Sequence, residues 1–140
     1  MNTRTFALVW GILFLMIFAS GVIPGMLHPP AMDDPNMAVD SMYGRALGLF
    51  PVNILHDAVH LIFGVWGIIA YRSLDAAKTY ARVTAVAYAA FMIMGLVPGL
   101  DTTFGLVPLF GHDVWLHAIL AAGAAYFGFI HRDTRSDARG

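Results

Sequence analysis

Three histidines carry the chemistry this sequence can do. His56 and His60 stand in the run Asn53-Ile54-Leu55-His56-Asp57-Ala58-Val59-His60, and His117 follows in Trp115-Leu116-His117. Four residues is about one helical turn, so His56 and His60 share a helix face. Imidazole suits zinc, copper and iron, and two imidazoles at i and i+4 on a helix can grip one ion. Asp57 is the neighbouring carboxylate that such a site needs behind a ligand, and Asn53 and Asp113 lie near the same helix ends.

Three roles fit these residues. The histidines can hydrogen-bond across helices and to Asn53 or Asp57, contacts that stabilise a membrane bundle by only about 0.6 kcal/mol each; no cofactor is then needed. Alternatively His56, His60 and His117, with Asp57 nearby, bind a transition metal or the iron of a haem. In the third role Met32, Met37 and Met42 with His28 handle Cu(I), which thioethers favour, although methionine is also ordinary apolar filler. His112 joins a metal site or caps its loop, and His131 snorkels from the far end of the chain.

The elements that hold these residues follow from composition. Of 140 residues 59% are hydrophobic and 12% charged, against about half and a quarter in soluble domains. A chain this short buries only a modest share of its surface, so the apolar excess must face lipid. A formal charge of -1 leaves no basic field for nucleic acid. The absence of cysteine removes disulfides, thiolate metal sites and cysteine nucleophiles. The sequence displays no nucleophile–base pair, phosphate-binding glycine loop or buried acidic dyad, and the expectation is a protein that is not an enzyme.

Four apolar stretches predict four transmembrane helices, at about 6–26, 54–71, 82–99 and 114–131, within a single domain over 1–140. The first could serve as a secretory signal, with Arg4 and Ala19-Ser20-Gly21 as its basic and cleavage ends, but it has a twin later in the chain and is expected to stay as a helix. Arg4, Arg72, Lys78, Arg82, Arg132, Arg135 and Arg139 fall on one side and Arg45 alone on the other. The positive-inside rule then puts both termini in the cytoplasm, for a multi-pass protein of a bacterial inner membrane. In the first outer loop Asp34-Pro35 reads as a helix start. Met37, Val39, Met42, Tyr43, Ala46 and Leu47 continue it as a short interfacial helix ending near Gly48.

The two halves resemble each other. Gly21-Val22-Ile23-Pro24-Gly25 and Gly95-Leu96-Val97-Pro98-Gly99 close the first and third helices. Gly48-Leu49-Phe50-Pro51 and Gly105-Leu106-Val107-Pro108 precede the second and fourth. Leu55-His56 aligns with Leu116-His117 and Gly67 with Gly128. The fold class is therefore an all-α four-helix transmembrane bundle of two tandem helical hairpins, a parallel pseudo-repeat about the membrane normal. Gly64 and Gly67 continue the His56–His60 face, while Ala121, Ala124 and Gly128 continue that of His117; such small residues let helices approach. Trp10, Trp115, Tyr80 and Tyr126 are expected at membrane interfaces, and Trp66 against lipid or another subunit.

With the run from Asn53 to His60, Trp115-Leu116-His117 and the two proline-glycine helix ends, the chain resembles a family of small bacterial four-helix membrane proteins known only as a domain of unknown function. The resemblance covers nearly the whole chain; Asp57 stands where members often carry asparagine. It implies the fold and topology and supplies no activity. The leading functional expectation is a non-catalytic accessory or structural subunit of a larger respiratory- or photosynthetic-type membrane complex, in contact with lipid and other subunits. The alternative is a haem- or metal-binding redox protein. A transporter would call for a charge in mid-membrane.

Overall fold

The computed structural model describes residues 1–134, so Arg135 and Arg139 lie outside the described residues. Helix α1 (Thr3–Val22) starts where the Asn2 side chain accepts from the Thr5 amide, satisfying one of the unpaired donors of the first turn. It stops before Pro24, whose ring cannot continue a helix. Helix α2 (Ile54–Ala70) starts at Asn53. Helix α3 runs over Leu74–Leu96, and α4 over His112–Ala125, continuing as a π-helical turn over Tyr126–Ile130. Packing is most extensive within the α1–α2 and α3–α4 pairs, which makes two hairpins. Thr3–Val22, Leu74–Leu96 and His112–Ile130 are long and apolar enough to cross a membrane, and the chain is a membrane protein. With 17 residues, α2 rises about 25 Å, at the lower limit for a span.

Two helix bounds differ appreciably from those expected. Helix α3 begins at Leu74 rather than near 82, because the Ser73 side chain accepts from the Ala76 amide and Asp75 sits in the first turn, where an acidic group favours the helix dipole. Helix α1 ends at Val22 rather than 26. The Gly-x-x-Pro-Gly segments stop α1 and α3 at the same register: Ile23 and Val97 turn extended, and Gly25 and Gly99 take φ of 89° and 87°.

The expected interfacial helix is not there. Leu27–His28 (β1), Gly44–Ala46 (β2) and Phe50–Val52 (β3) form a small antiparallel sheet in that order. Met42 and Leu47 have φ of 55° and 54°, which breaks any right-handed helix. Asp34 is no helix cap. Its carboxylate accepts from the Ala31 amide at 2.8 Å and from Arg45 Nε at 2.9 Å. Pro51 fits β3 because that strand is an edge and no sheet bond is lost there.

The sheet and the loop 97–111 together cap one end of the bundle. The Ala38 amide donates to the Gly105 carbonyl at 2.9 Å. Asn53 joins both loops to α2: its amide donates to the Val39 and Leu106 carbonyls at 2.9 and 2.8 Å, and its Oδ1 accepts from the His56 amide at 3.0 Å. Removing an N-cap costs about 0.5–2 kcal/mol and each lost hydrogen bond about 1 kcal/mol. Asn53→Ala is therefore expected to lower stability by about 3 kcal/mol, read as an earlier unfolding midpoint in detergent; an unchanged midpoint would deny Asn53 this hub role.

A second pin is the Asp34–Arg45 ion pair. The hydrogen bond from Arg45 holds the Asp34 carboxyl below the usual carboxylate range. A depressed folded value means the contribution is fully present above the unfolded value of about 3.9 and is lost as pH falls through the lower folded one. The Arg45 Nε–H resonance should thus hold its position on acidification to about pH 4 and move only below it. Movement already near pH 5 would show that the pair does not form.

At the opposite end, Asp133 accepts from the Thr3 amide and hydroxyl at 2.8 and 2.7 Å and lies 3.5 Å from Lys78 Nζ. That tail therefore clasps α1 and α3.

Candidate metal centre

The cap at Asn53 sets the phase of α2, so that His56, Asp57 and His60 all turn into the bundle, 2%, 0% and 1% exposed. Helix α4 brings Asp113 and His117, 1% and 0% exposed. The His56 ring centre is 4.6 Å from that of His60 and 5.7 Å from that of His117. One nitrogen from each of the three lies within 4.8 Å of the others. Aromatic rings close the sides: Phe14 stacks on His60 at 6.0 Å, and Tyr88 stands edge-on to His117 at 5.2 Å. A cavity of about 100 Å³ touches His56 and Tyr88 and reaches Thr103, Val107 and Leu109 of the capping loop.

Most of these polar atoms have no hydrogen-bond partner among the described residues. Both ring nitrogens of His60 and of His117, Nδ1 of His56, both oxygens of Asp57 and Oδ2 of Asp113 are buried without a hydrogen bond. Asn53 spends its amide on the capping loops, and Asp57 lies against Gly21, where a Cβ would land on its oxygens. The interhelical hydrogen bonds expected of the histidines are therefore not formed by these nitrogens. Each buried unsatisfied group costs about 1–3 kcal/mol. A neutral imidazole always has one lone pair to give, and a metal at about 2.0–2.1 Å would use it.

Asp113 Oδ2 stands 3.6 Å from His56 Nδ1, with no hydrogen bond between them. Among the described residues neither Asp57 nor Asp113 pairs with a lysine or arginine. The sequence put Asp57 and Asp113 near the same helix ends but carried no sign that both are buried, since burial depends on how the two hairpins pack. Tyr80, Thr84 and Tyr88 were also missed. All three are fully buried, and their spacing of four along α3 was a readable signal of a shared face. Tyr80 is in the core rather than at an interface, and Trp66 packs edge-on against it at 5.2 Å rather than facing lipid or another subunit.

The other histidines stand apart. His112 Nδ1 accepts from the Trp115 indole at 2.9 Å. His131 packs on Phe127 and lies 3.6 Å from Asp133. His28 is exposed on β1 and Met32 fully exposed; neither is near-buried as the central histidines are. Of the glycines and prolines expected to shape the bundle, Gly64 and Gly67 meet α1 at its Gly11. Gly128 lies against the backbone of α3 at Arg82, and its carbonyl accepts from Arg82 Nε at 2.9 Å. Pro24, Gly25, Pro98 and Gly99 follow the helix ends.

Fold and site define a class: a small four-helix membrane bundle holding a buried three-histidine cluster beneath a strand-and-loop cap, with two further buried carboxylates, Asp57 and Asp113. Within it, the chain belongs to the family described as domain of unknown function DUF4383, whose model matches residues 4–130, from α1 through the π-helical turn. No curated protein and no solved structure matches it.

Proposed function

We propose that this is a non-catalytic integral membrane protein that binds a transition-metal ion at His56, His60 and His117. The observation that carries this reading is the set of buried, unpartnered ring nitrogens gathered within 4.8 Å. Packing alone would leave them unsatisfied in an apolar interior, where that is costly. The arginine and lysine distribution, with Arg45 alone near the capped end, supports both termini in the cytoplasm of a bacterial inner membrane and the site beneath the outer face. The matching helix ends after Gly21 and Gly95 support reading the hairpins as a tandem repeat.

Haem is the poorer occupant. Rings 4.6 and 5.7 Å apart, walled by Phe14 and Tyr88, leave no slot for a macrocycle. An accessory place in a larger respiratory- or photosynthetic-type complex is compatible with exposed apolar residues such as Ile62, Val86 and Phe129, but lipid accounts for these equally.

The test is elemental analysis of protein extracted from its membrane in mild detergent, with an absorption spectrum alongside. A single transition-metal ion per chain, lost in His60→Gln and His117→Gln, is expected. Metal-free protein that also refuses added Co2+ and Zn2+ would overturn the reading, and a haem band would replace it. Co-purification of defined partner subunits with metal-free protein would restore the accessory role.

A further inference from the structure

Arg82 is a charge on the outer face of a spanning helix. It lies eight residues into α3, a rise of about 12 Å, and is exposed beside Val83 and Val86, themselves 42% and 65% exposed. Charged side chains within membrane spans usually turn into the bundle or pair. Among the described residues no carboxylate comes within ion-pair distance of Arg82. Its neighbours hold it without neutralising it. Nε donates to the Gly128 carbonyl at 2.9 Å, one of those a helix end leaves unpaired, and the guanidinium lies 5.8 Å from the centre of the Phe129 ring. Both residues belong to the π-helical turn after α4, a feature frequent at functional sites. The guanidinium is thereby fixed with its two terminal nitrogens unbonded among the described residues, the fork that grips a phosphate through two hydrogen bonds.

An open groove of about 340 Å³ continues from Arg82 along Val83, Val86 and Ala87, within the size range of ligand sites, about 300–1,000 Å³. Apart from Arg82 its lining is apolar, as a hydrocarbon chain requires. The end of the bundle opposite the cap carries Arg4, Arg72, Lys78, Arg82 and Arg132 against Asp75 and Asp133 among the described residues, and Asp133 already lies 3.5 Å from Lys78. A zwitterionic headgroup would bring one more cation there, whereas a net negative one is attracted by the field. We propose that Arg82 and this groove form a site for one anionic phospholipid, its phosphate on the guanidinium and an acyl chain along Val83, Val86 and Ala87. The inference stands apart from the metal reading, since it uses none of the central histidines.

The experiment counts lipid bound to the purified full chain by native mass spectrometry in mild detergent, with phosphatidylglycerol and phosphatidylcholine titrated separately. One phosphatidylglycerol should bind with a preference of about tenfold or more, and Arg82→Gln should remove that preference, the scale of loss for a hydrogen bond to a charged group. Arg82→Lys should restore only part of it, because an ammonium keeps the charge and loses the fork. Val86→Trp, which fills the groove, should weaken phosphatidylglycerol binding, while Arg72→Gln, at the same end but off the groove, should leave it unchanged. Glycerol phosphate, which has the anion without the chains, should not compete at equal concentration. Equal binding of the two lipids, undiminished phosphatidylglycerol binding in Arg82→Gln, or the same loss in Arg72→Gln would overturn the site. Competition by glycerol phosphate would overturn a lipid as its occupant. Should Arg82→Gln not yield folded protein, Val86→Trp decides, and undiminished binding there would overturn the proposal.

Discussion

Replacing Gly67 with leucine is expected to abolish the folded bundle, and Gly67→Ala alone to destabilise it strongly. A Cβ at Gly67 would lie 2.7 Å from Gly11 Cα, 2.8 Å from the Ala7 carbonyl oxygen and 2.9 Å from Tyr80 Cζ. Two of these are backbone atoms of α1 and cannot rotate away, so the helices themselves must part. Overpacking usually costs about 1–3 kcal/mol; with backbone on the far side, alanine belongs at the upper end and leucine beyond it. Gly11 repeats the problem from α1, where a Cβ would stand 2.8 Å from the Gly64 carbonyl. Gly25 and Gly99 form the contrast. Nothing lies within 4 Å of a Cβ there, and alanine would cost only the left-handed backbone, about 1–2 kcal/mol. Thermal melting in detergent, followed by helical circular dichroism, should order the variants Gly25→Ala, Gly67→Ala, Gly67→Leu from mildest to worst. A Gly67→Ala midpoint equal to that of the wild type would mean the α1–α2 crossing is looser than described.

The second large effect concerns the site. The double variant His60→Leu/His117→Leu is expected to lose ion binding entirely and, without ion, to melt at or above the wild-type temperature. Each imidazole leaves two nitrogens unsatisfied, a penalty of about 1–3 kcal/mol per group that an apolar side chain of similar size removes. The neighbours Phe14 and Tyr88 would still pack against leucine. With ion the order should reverse, because a ligand at a hundred times its Kd stabilises the wild type by about 2.7 kcal/mol. Melting both proteins with and without Co2+ reads both signs. A double variant that melts earlier without ion, and a wild type indifferent to Co2+, would point to histidines that serve packing.

What was readable from the chain was local. Pro24 and Pro98 had to stop their helices because proline cannot continue one, and His56, His60, Gly64 and Gly67 had to share a face because helical spacing allows nothing else. The apolar surplus made a membrane the only solvent that could accept these helices. The segment 27–52 misled for an equally local reason. Asp34-Pro35 and the spacing of its apolar residues satisfy a helix pattern, yet Asp34 is taken by Arg45 and the Ala31 amide, and extended pairing of β1 to β3 wins. Tyr80 misled because an aromatic near a helix end looks interfacial, whereas α3 begins earlier than its charges suggested and carries the ring into the core.

The sequence by itself determined a membrane chain of four apolar helices with a histidine pair on one of them, since composition and helical period act along the chain. Only the tertiary structure decided that His117 joins the pair, that Asp113 comes to lie beside His56, and that the ring nitrogens of His60 and His117 have no hydrogen-bond partner among the described residues. Those facts depend on how each helix is rotated about its own axis, and that rotation is set by close contacts, Gly11 on Gly64 and Gly67 above all, between residues that no local pattern connects.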